Sequence, residues 1–395
     1  MTARDSQHLV RWLLGMVAFL IVYGSLYPFR FDAPGGGGLV ELVTGLPWAR
    51  TTSSDIAANI LLYLPFGACL GWMLAARLGG PLAMLAATAL GALLSTGIEV
   101  AQIFETRRVA SLADVFFNGL GTLAGAALSQ ALRSARHGFS RHPLAGLLVE
   151  PIATALLLLW IGYRLAPFAL SLDPGEWRAS LQPLTGGDWL DPSGTLRYLM
   201  PWLVTGHVLR MILRGASPLP VLAAVMLCTL LGLVLVSGRS LVPAEVVAML
   251  LALAASTPLA RLSPARAAGL LAWLLALLIA VDGLAPFDFR VDPGSFGLVP
   301  FRDALTRYKA TNLVEIFQKC FLYGALVWLL SRSGLRVLSA TLAGTGLVLA
   351  VELLQAWLPG KPADITDPLL VVAAGGLIAV FDAPSGGVSG PRLRR

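Results

Sequence analysis

Charged residues and cysteines are scarce in this sequence. Charged side chains make up 13% of the 395 residues, hydrophobic ones make up 56%, and the mean hydropathy is +0.76. A soluble domain carries about 25% charged residues, so this composition excludes water as the main solvent of the chain. Apolar stretches of roughly 20 residues, long enough to cross a bilayer, recur throughout and leave no segment for a soluble catalytic domain.

The sequence also lacks the motifs of metal, phosphate and nucleophile chemistry. Its three cysteines, Cys69, Cys228 and Cys320, lie in separate apolar stretches, which argues against a disulfide framework and against a metal site. There is no zinc spacing, nucleophile elbow or Walker motif, so we predict no metal and no cofactor. With a pI near 9.7, the basic excess indicates membrane lipids with anionic headgroups as partners and no nucleic acid.

The N-terminal apolar stretch lacks the small residues of a signal-peptidase site. Arg4 and Arg11 precede it and residues 26–29 read Leu-Tyr-Pro-Phe, so it is predicted to remain as the first membrane span. We predict an all-α, polytopic membrane protein with about twelve transmembrane helices. The predicted spans are 11–29, 55–76, 81–103, 112–132, 149–169, 195–213, 218–236, 243–260, 266–285, 311–331, 334–356 and 365–381.

The basic residues are arranged as in a cytoplasmic-membrane protein with both termini in the cytoplasm. Under this orientation the inner connections are short and rich in arginine, as the positive-inside rule requires. The long connections near 30–54, 171–194 and 286–310 then all lie outside.

Internal similarity divides the predicted spans into three parallel four-helix repeats. A shift of 253 residues superposes the first repeat on the third, and a shift of 131 relates the first to the middle one, which keeps Arg239 and Glu245 but has leucines at 230 and 233. The predicted domains are 1–140, 141–262 and 263–383, followed by a basic cytoplasmic tail at 384–395. Each repeat closes its first helix with a similar phrase, at 27–32, 166–173 and 285–292.

The polar residues of the first repeat are concentrated at one membrane boundary. Glu99 and Gln102 share a helix face, Arg108 follows nine residues after Glu99, and Asp114 and Asn118 share a face of the next helix. An ionised carboxylate in hydrocarbon costs about 3 kcal/mol, so we expect Arg108 to neutralise Glu99. The same arrangement recurs in the third repeat as Glu352 and Lys361. The candidate functional residues of the first and third repeats are Asn59, Glu99, Gln102, Arg108, Asp114, Asn118, Asn312, Glu315, Lys319, Glu352, Gln355, Lys361, Asp364 and Asp367.

Structural explanations compete with function at several of these positions. The spacings of Ser111 with Asp114 and of Asp364 with Asp367 are those of a capping box, and Glu245 suits a first helical turn equally well. Glu315 and Lys319, four residues apart, could simply neutralise each other. His207, midway along its span, is interpreted as a hydrogen-bonded core histidine.

Two segments carry a resemblance to a known family. Asn59 to Gly67, NILLYLPFG, and Ile98 to Gly125, IEVAQIFETRRVASLADVFFNGLGTLAG, resemble the VanZ-like family of bacterial membrane proteins, whose founding member is associated with teicoplanin resistance. Where that family often has an acid, Ser111 stands here. The matching positions are Asn59, Pro65, Phe66, Gly67, Glu99, Gln102, Arg108, Asp114, Asn118 and Gly121.

The resemblance and the polar residues leave three kinds of function open. The first is binding of a cell-envelope component at the outer face, either a lipid-linked cell-wall precursor or a glycopeptide, in antibiotic resistance or envelope maintenance. The second is a membrane enzyme acting on a lipid-linked substrate, with Glu99 or Asp114 as acid or base and Arg108 holding an anion. The third is a transporter with its site between parallel repeats.

Overall fold

The structure is a computed structural model of the full chain. It describes residues 3–32, 45–49, 51–105, 109–138, 147, 150–166, 168–213, 217–302 and 310–381. The helices are α1 Ala3–Leu26, α2 Ser53–Leu78, α3 Gly80–Ile103, α4 Leu112–Gly138, α5 Pro151–Leu165, α6 Pro174–Leu181, α7 Pro183–Gly186, α8 Pro192–Ile212, α9 Pro218–Leu235, α10 Pro243–Arg261, α11 Pro264–Leu284, α12 Ala310–Arg332, α13 Val337–Gln355 and α14 Thr366–Phe381. Two short parallel strands, β1 Phe296–Gly297 and β2 Ala363–Asp364, pair with each other.

Proline and short polar side chains fix where many helices begin. Helices α5 to α11 all start at a proline, whose missing N–H costs nothing in a first turn. Thr52 caps α2 in a reciprocal capping box with Asp55. Asp191 caps α8 by accepting a 2.9 Å hydrogen bond from the Gly194 N–H, and this bond lowers the pKa of the Asp191 carboxyl.

The predicted spans coincide with helices, although not all of these helices are equally suited to crossing a membrane. Among the described residues, eight helices are both long and apolar enough to span a bilayer. Val10–Leu26, Pro151–Leu165 and Thr366–Ala379 are apolar but shorter. Helix α8 belongs to neither set, and it carries Arg197 and Arg210. The chain is thus an all-α membrane protein, whereas the count of twelve spans remains a prediction.

The chain divides into two compact units. Residues 1–140, with 384–395, form the N-terminal unit, and residues 141–383 form the C-terminal unit. The described helices of the N-terminal unit are α1–α4, and those of the C-terminal unit are α5–α14. In the C-terminal unit, α12 packs on α5 as well as on α11 and α14. The predicted connection 171–194 is not a simple loop, because it contains α6 and α7.

Glycines bring α2 and α4 into direct backbone contact in the N-terminal unit. A Cβ atom built on Gly67 would lie 2.0 Å from the Thr122 carbonyl oxygen, and one built on Gly125 would lie 1.9 Å from that of Leu64. These are close-packing positions of the small-residue kind common between membrane helices. The contact between α2 and α4 is therefore central to the packing of the N-terminal unit.

Large aromatic side chains fill the core of the C-terminal unit. Trp160 of α5, Trp202 of α8 and Trp328 of α12 are completely buried. The Trp160 ring lies 5.0 Å from the Trp202 ring, edge to face, and 5.2 Å from the Phe321 ring. Such aromatic pairs stabilise a core beyond their buried area. Helices α5, α8 and α12 are therefore packed together through these rings.

One backbone hydrogen bond occurs at three places in the chain. In each case the N–H of a residue that follows a long helix donates to the carbonyl of a residue at the end of the second long helix further along the chain. The pairs are Asp32 to Phe104 at 2.8 Å, Ser171 to Leu235 at 2.8 Å and Arg290 to Trp357 at 2.7 Å. The donors lie in the three similar phrases that close the first helix of each predicted repeat.

The same three phrases share an unusual backbone conformation. Phe29, Phe168 and Phe287 have φ values of 59°, 62° and 66°, in the left-handed region that residues with a side chain rarely adopt. The N–H of each donates to a carbonyl three residues earlier, at 2.7 Å for Phe29 and 2.8 Å for the other two. The chain therefore reverses in the same way at the end of α1, α5 and α11.

Candidate functional site

The buried carboxylate of the N-terminal unit is held by backbone. Glu99, near the end of α3, is 3% exposed and its Oε2 accepts the Ser111 N–H at 2.7 Å. The Ser111 hydroxyl oxygen in turn accepts the Ala113 N–H at 3.1 Å and the Ala49 N–H at 3.3 Å. Glu99 thus fixes the entry into α4.

Arg108, the expected partner of Glu99, lies outside the described residues. The predicted ion pair between them consequently stays a prediction. What the structure describes is that Glu99 has a backbone partner close to the start of α4.

Asp114 is more accessible than Glu99. It lies in the first turn of α4, is half-buried, and its Oδ1 accepts a 2.8 Å hydrogen bond from Asn59 Nδ2 of α2. Its Oδ2 accepts no hydrogen bond from any residue that the structure describes. A helix N-terminus stabilises the ionised form, so Asp114 presents one carboxylate oxygen that can accept from a ligand.

The two predicted amides of this unit join helices. Gln102 Nε2 donates to the Ser25 carbonyl at the end of α1 at 2.9 Å. Asn118 Nδ2 donates to the Ser95 hydroxyl of α3 at 2.8 Å, and both side chains are buried. These residues place α3 against its neighbours on either side of the Glu99–Asp114 region.

The C-terminal unit repeats this arrangement at the end of α13. Glu352 Oε2 accepts the Asp364 N–H at 2.9 Å, as Glu99 accepts that of Ser111. Gln355 Nε2 donates to the Gly283 carbonyl at the end of α11 at 3.1 Å, as Gln102 does to Ser25. Glu99 and Glu352, Ser111 and Asp364, and Gln102 and Gln355 are related by the 253-residue shift, whereas the acceptors Ser25 and Gly283 are not. Sequence spacing and hydrogen bonding agree here.

Lys361 corrects one expectation from the sequence. It was expected to pair with Glu352, as Arg108 with Glu99. Instead its Nζ donates to the carbonyls of Asp282 at 2.9 Å and Gly283 at 2.8 Å, and no ion pair with Glu352 occurs between these two described side chains. The C-terminus of a helix carries partial negative charge, and the end of α11 attracts the ammonium group.

Asp367 forms the centre of a charged cluster. Its Oδ1 lies 2.9 Å from Lys319 Nζ, and its Oδ2 accepts the Tyr323 hydroxyl at 2.5 Å. Lys319 also lies 3.0 Å from Glu315, so the predicted i,i+4 pair is present but is extended to a third residue. The Glu315 side chain is 60% exposed and that of Lys319 is 31% exposed, whereas Asp367 is buried. Asn312 lies in α12, and its side chain is outside the described part.

Helix capping explains Ser111 and Asp364 but not the acids three residues later. Asp364 Oδ1 accepts the Thr366 N–H at 2.7 Å, a local capping bond like that of Ser111. Asp114 and Asp367 direct their carboxylates to Asn59 and Lys319 on other helices. The reciprocal half of the capping box is absent at both described helix starts.

The buried ion pair of Glu245 with Arg164 was not predicted from the sequence. Arg164 of α5 is 4% exposed and pairs with Glu245 of α10, which is 0% exposed. The guanidinium carbon of Arg164 also lies 5.2 Å from the Tyr163 ring centre and 5.4 Å from that of Tyr198. An arginine inside an apolar stretch was the available signal, because such a charge needs a partner.

Arg239 makes hydrogen bonds like those of Lys361. Its Nε donates to the Ala166 carbonyl and its NH2 group to that of Tyr163, both at 2.7 Å. Arg239 and Lys361 are related to Arg108 by the two sequence shifts. In both cases the cation donates hydrogen bonds to carbonyls at the end of a helix, which is α5 for Arg239 and α11 for Lys361.

No metal site is built by these clusters. Within the described ranges, no group of three or more histidine, cysteine, aspartate or glutamate side chains could hold a metal ion. The chemistry that the side chains offer is hydrogen bonding and charge.

Comparison with known proteins identifies the N-terminal unit. Residues 12–133 match the family model described as VanZ/LLP1. Neither the curated proteins nor the solved structures contain a significant match to the chain. The matched segment contains Asn59, Glu99, Gln102 and Asp114. The chain is thus a multi-pass α-helical membrane protein, and its residues 12–133 are similar to the VanZ/LLP1 family.

Proposed function

We propose that this protein binds a cell-envelope component or a glycopeptide at the outer face of the bacterial cytoplasmic membrane, and that Asp114 contacts the ligand. The observation that carries the proposal concerns the half-buried Asp114 carboxylate. Asn59 donates a hydrogen bond to its Oδ1, whereas no described residue donates one to its Oδ2. Such an oxygen accepts from ammonium, amide or hydroxyl groups. Glycopeptides and the peptide and sugar parts of lipid-linked precursors all carry these donors.

The proposed architecture is three parallel four-helix repeats with both termini in the cytoplasm. The repeated backbone hydrogen bond, the three left-handed phenylalanines and the equivalent bonds of Glu99 and Glu352 support the repeats. The short arginine-rich connections support the orientation. Under this orientation Asp114 and Asp367 both lie at the outer boundary, and the first and third repeats carry the polar sites.

The test is ligand binding by the purified full chain. Teicoplanin and an undecaprenyl-linked disaccharide pentapeptide are titrated separately against wild type and against Asp114→Asn. We expect binding of at least one ligand, and a loss of about tenfold or more in the variant, because a hydrogen bond to a charged group contributes about 1.5–3 kcal/mol. Monodispersity in detergent should be unchanged.

Asp32→Asn is the matched control for this experiment. Asp32 is exposed, and its backbone N–H bonds to Phe104, next to the end of α3, so the substitution removes the same charge near the same end of the unit. Its binding should equal that of wild type. Equal binding by Asp114→Asn and Asp32→Asn, or no binding of either ligand by wild type, would refute the proposal.

Transport is a second candidate, favoured by the Asp367 cluster. Ionisable residues within membrane helices are costly and mark substrate or ion pathways. Glu315 and Lys319 lie in α12 and are accessible enough to meet a solute. Ion- or proton-coupled flux in proteoliposomes, lost in Lys319→Met and retained in Asp114→Asn, would favour transport over envelope binding.

A further inference from the structure

His207 is a buried histidine without a hydrogen-bonding partner. It lies in α8 and is 2% exposed, and neither ring nitrogen bonds to any residue that the structure describes. The interpretation of His207 as a hydrogen-bonded core residue is therefore wrong. A buried polar group without a partner is costly, so its surroundings should supply one.

A cavity lies beside this ring. It has a volume of about 20 Å³ and is lined by His207 and Trp202 of α8, Leu222 of α9, Ala252 and Ser256 of α10, and neighbouring residues. A space of about 10–15 Å³ already holds one water-sized particle. The cavity can thus accommodate a single small molecule or ion.

The buried groups that line the cavity without a hydrogen-bonding partner are mainly donors. The Trp202 indole N–H and the His207 ring nitrogens line it and make no hydrogen bond to the described part of the chain. A neutral imidazole adds one N–H and one acceptor nitrogen. Water would bring two further donors, whereas an anion only accepts hydrogen bonds. The imbalance favours an anion.

The charges near His207 are also positive. Arg210 of α8 lines the cavity together with His207, and Arg332 of α12 is a second cation whose charge acts on the ring. Arg332 pairs with Glu150 at 2.8 Å, but Arg210 donates only to the uncharged carbonyls of Leu259 and Leu262, at 3.3 Å and 3.1 Å. Arg210 thus places a positive charge beside the cavity, and no described carboxylate forms an ion pair with it.

We propose that this cavity binds a small monovalent anion of about halide size. The Trp202 indole N–H and a His207 N–H donate to it, and Arg210 provides the compensating charge. The site lies within the C-terminal unit and is independent of the ligand proposed for Asp114. It requires no chemical step, only exchange of the anion with the aqueous phase.

Chloride itself is the probe. Purified full-length protein in sodium gluconate is titrated with sodium chloride, and the ³⁵Cl resonance linewidth is measured. Wild type should give a saturable, protein-dependent broadening that bromide competes away. Trp202→Phe removes one donor at nearly constant shape and should weaken chloride binding by about ten- to hundredfold, the value of one hydrogen bond to a charged group.

Each test variant has a matched control. The control for Trp202→Phe is Trp273→Phe, which should bind chloride like wild type because this indole is 77% exposed on α11 and does not line the cavity. Ala252→Val fills the cavity without removing a donor and should abolish binding, whereas Ala254→Val on the exposed side of α10 should not. If Trp202→Phe does not fold, Ala252→Val decides.

Two outcomes would overturn the proposal. Absence of saturable broadening in wild type would mean that the cavity holds only water. Undiminished chloride binding by Trp202→Phe or Ala252→Val would place any anion elsewhere.

Discussion

Replacing Arg164 with methionine is expected to abolish most of the folded protein. The substitution leaves Glu245, which is 0% exposed, without its buried cationic partner. Removing one member of a buried ion pair costs about 3–5 kcal/mol, a large part of the roughly 5–15 kcal/mol that stabilises a domain. The measurement is the yield of monodisperse protein extracted in detergent and its thermal midpoint.

The double variant distinguishes a structural pair from a functional one. Arg164→Met with Glu245→Met removes both charges, and the apolar pair should restore folding to near the wild-type level. Glu245→Met alone should be as damaging as Arg164→Met, because it leaves the guanidinium unpaired. Failure of the double variant to recover would contradict this account and would indicate that other groups depend on the pair.

Gly125→Ala should separate α2 from α4 and destabilise the N-terminal unit strongly. A single added Cβ would lie 1.9 Å from the Leu64 carbonyl oxygen, a backbone atom that cannot move alone. Overpacking costs about 1–3 kcal/mol and occasionally more, and we expect the upper end here. Unfolding in increasing denaturant, followed by near-ultraviolet circular dichroism, provides the measurement.

Gly119→Ala is the control in the same helix, and its effect on the free energy of unfolding should have the opposite sign. A Cβ at Gly119 meets nothing within 4 Å, and alanine is favoured over glycine in a helix interior by about 1 kcal/mol. The variant should therefore be as stable as wild type or slightly more stable. Equal destabilisation by Gly119→Ala and Gly125→Ala would contradict the assignment of the effect to the α2–α4 contact, because only Gly125 lies in that contact.

The helices were largely predictable from the sequence because hydropathy alone encodes them. Apolar stretches near 20 residues produced segments that match helices such as α3 and α10 to within a few residues. The i,i+4 pair of Glu315 and Lys319 was equally local and is present at 3.0 Å. Local spacing suffices where both partners lie on one helix.

The partners of the polar groups were harder to predict, since they lie on distant helices. Arg164 and Glu245 are 81 residues apart, and no spacing rule connects them. Lys361 was assigned to the wrong partner, because the carbonyls at the end of α11 compete with the Glu352 carboxylate for its ammonium group. His207 was misinterpreted because a sequence does not reveal the cavity beside its ring. The surroundings of Arg164, Lys361 and His207 all depend on which helices are in contact, and composition does not encode these contacts.

The hydrogen bonds from Asp32 to Phe104, Ser171 to Leu235 and Arg290 to Trp357 join main-chain atoms only. No substitution of the six side chains removes the N–H or the carbonyl, with proline at a donor position as the exception. Segments joined in this way can differ in sequence and still keep a common backbone path. The 131-residue shift relates the leucines at 230 and 233 to Glu99 and Gln102, and the hydrogen bond from Ser171 to Leu235 is nevertheless present. The main-chain connection thus tolerates apolar side chains where the N-terminal unit has polar ones.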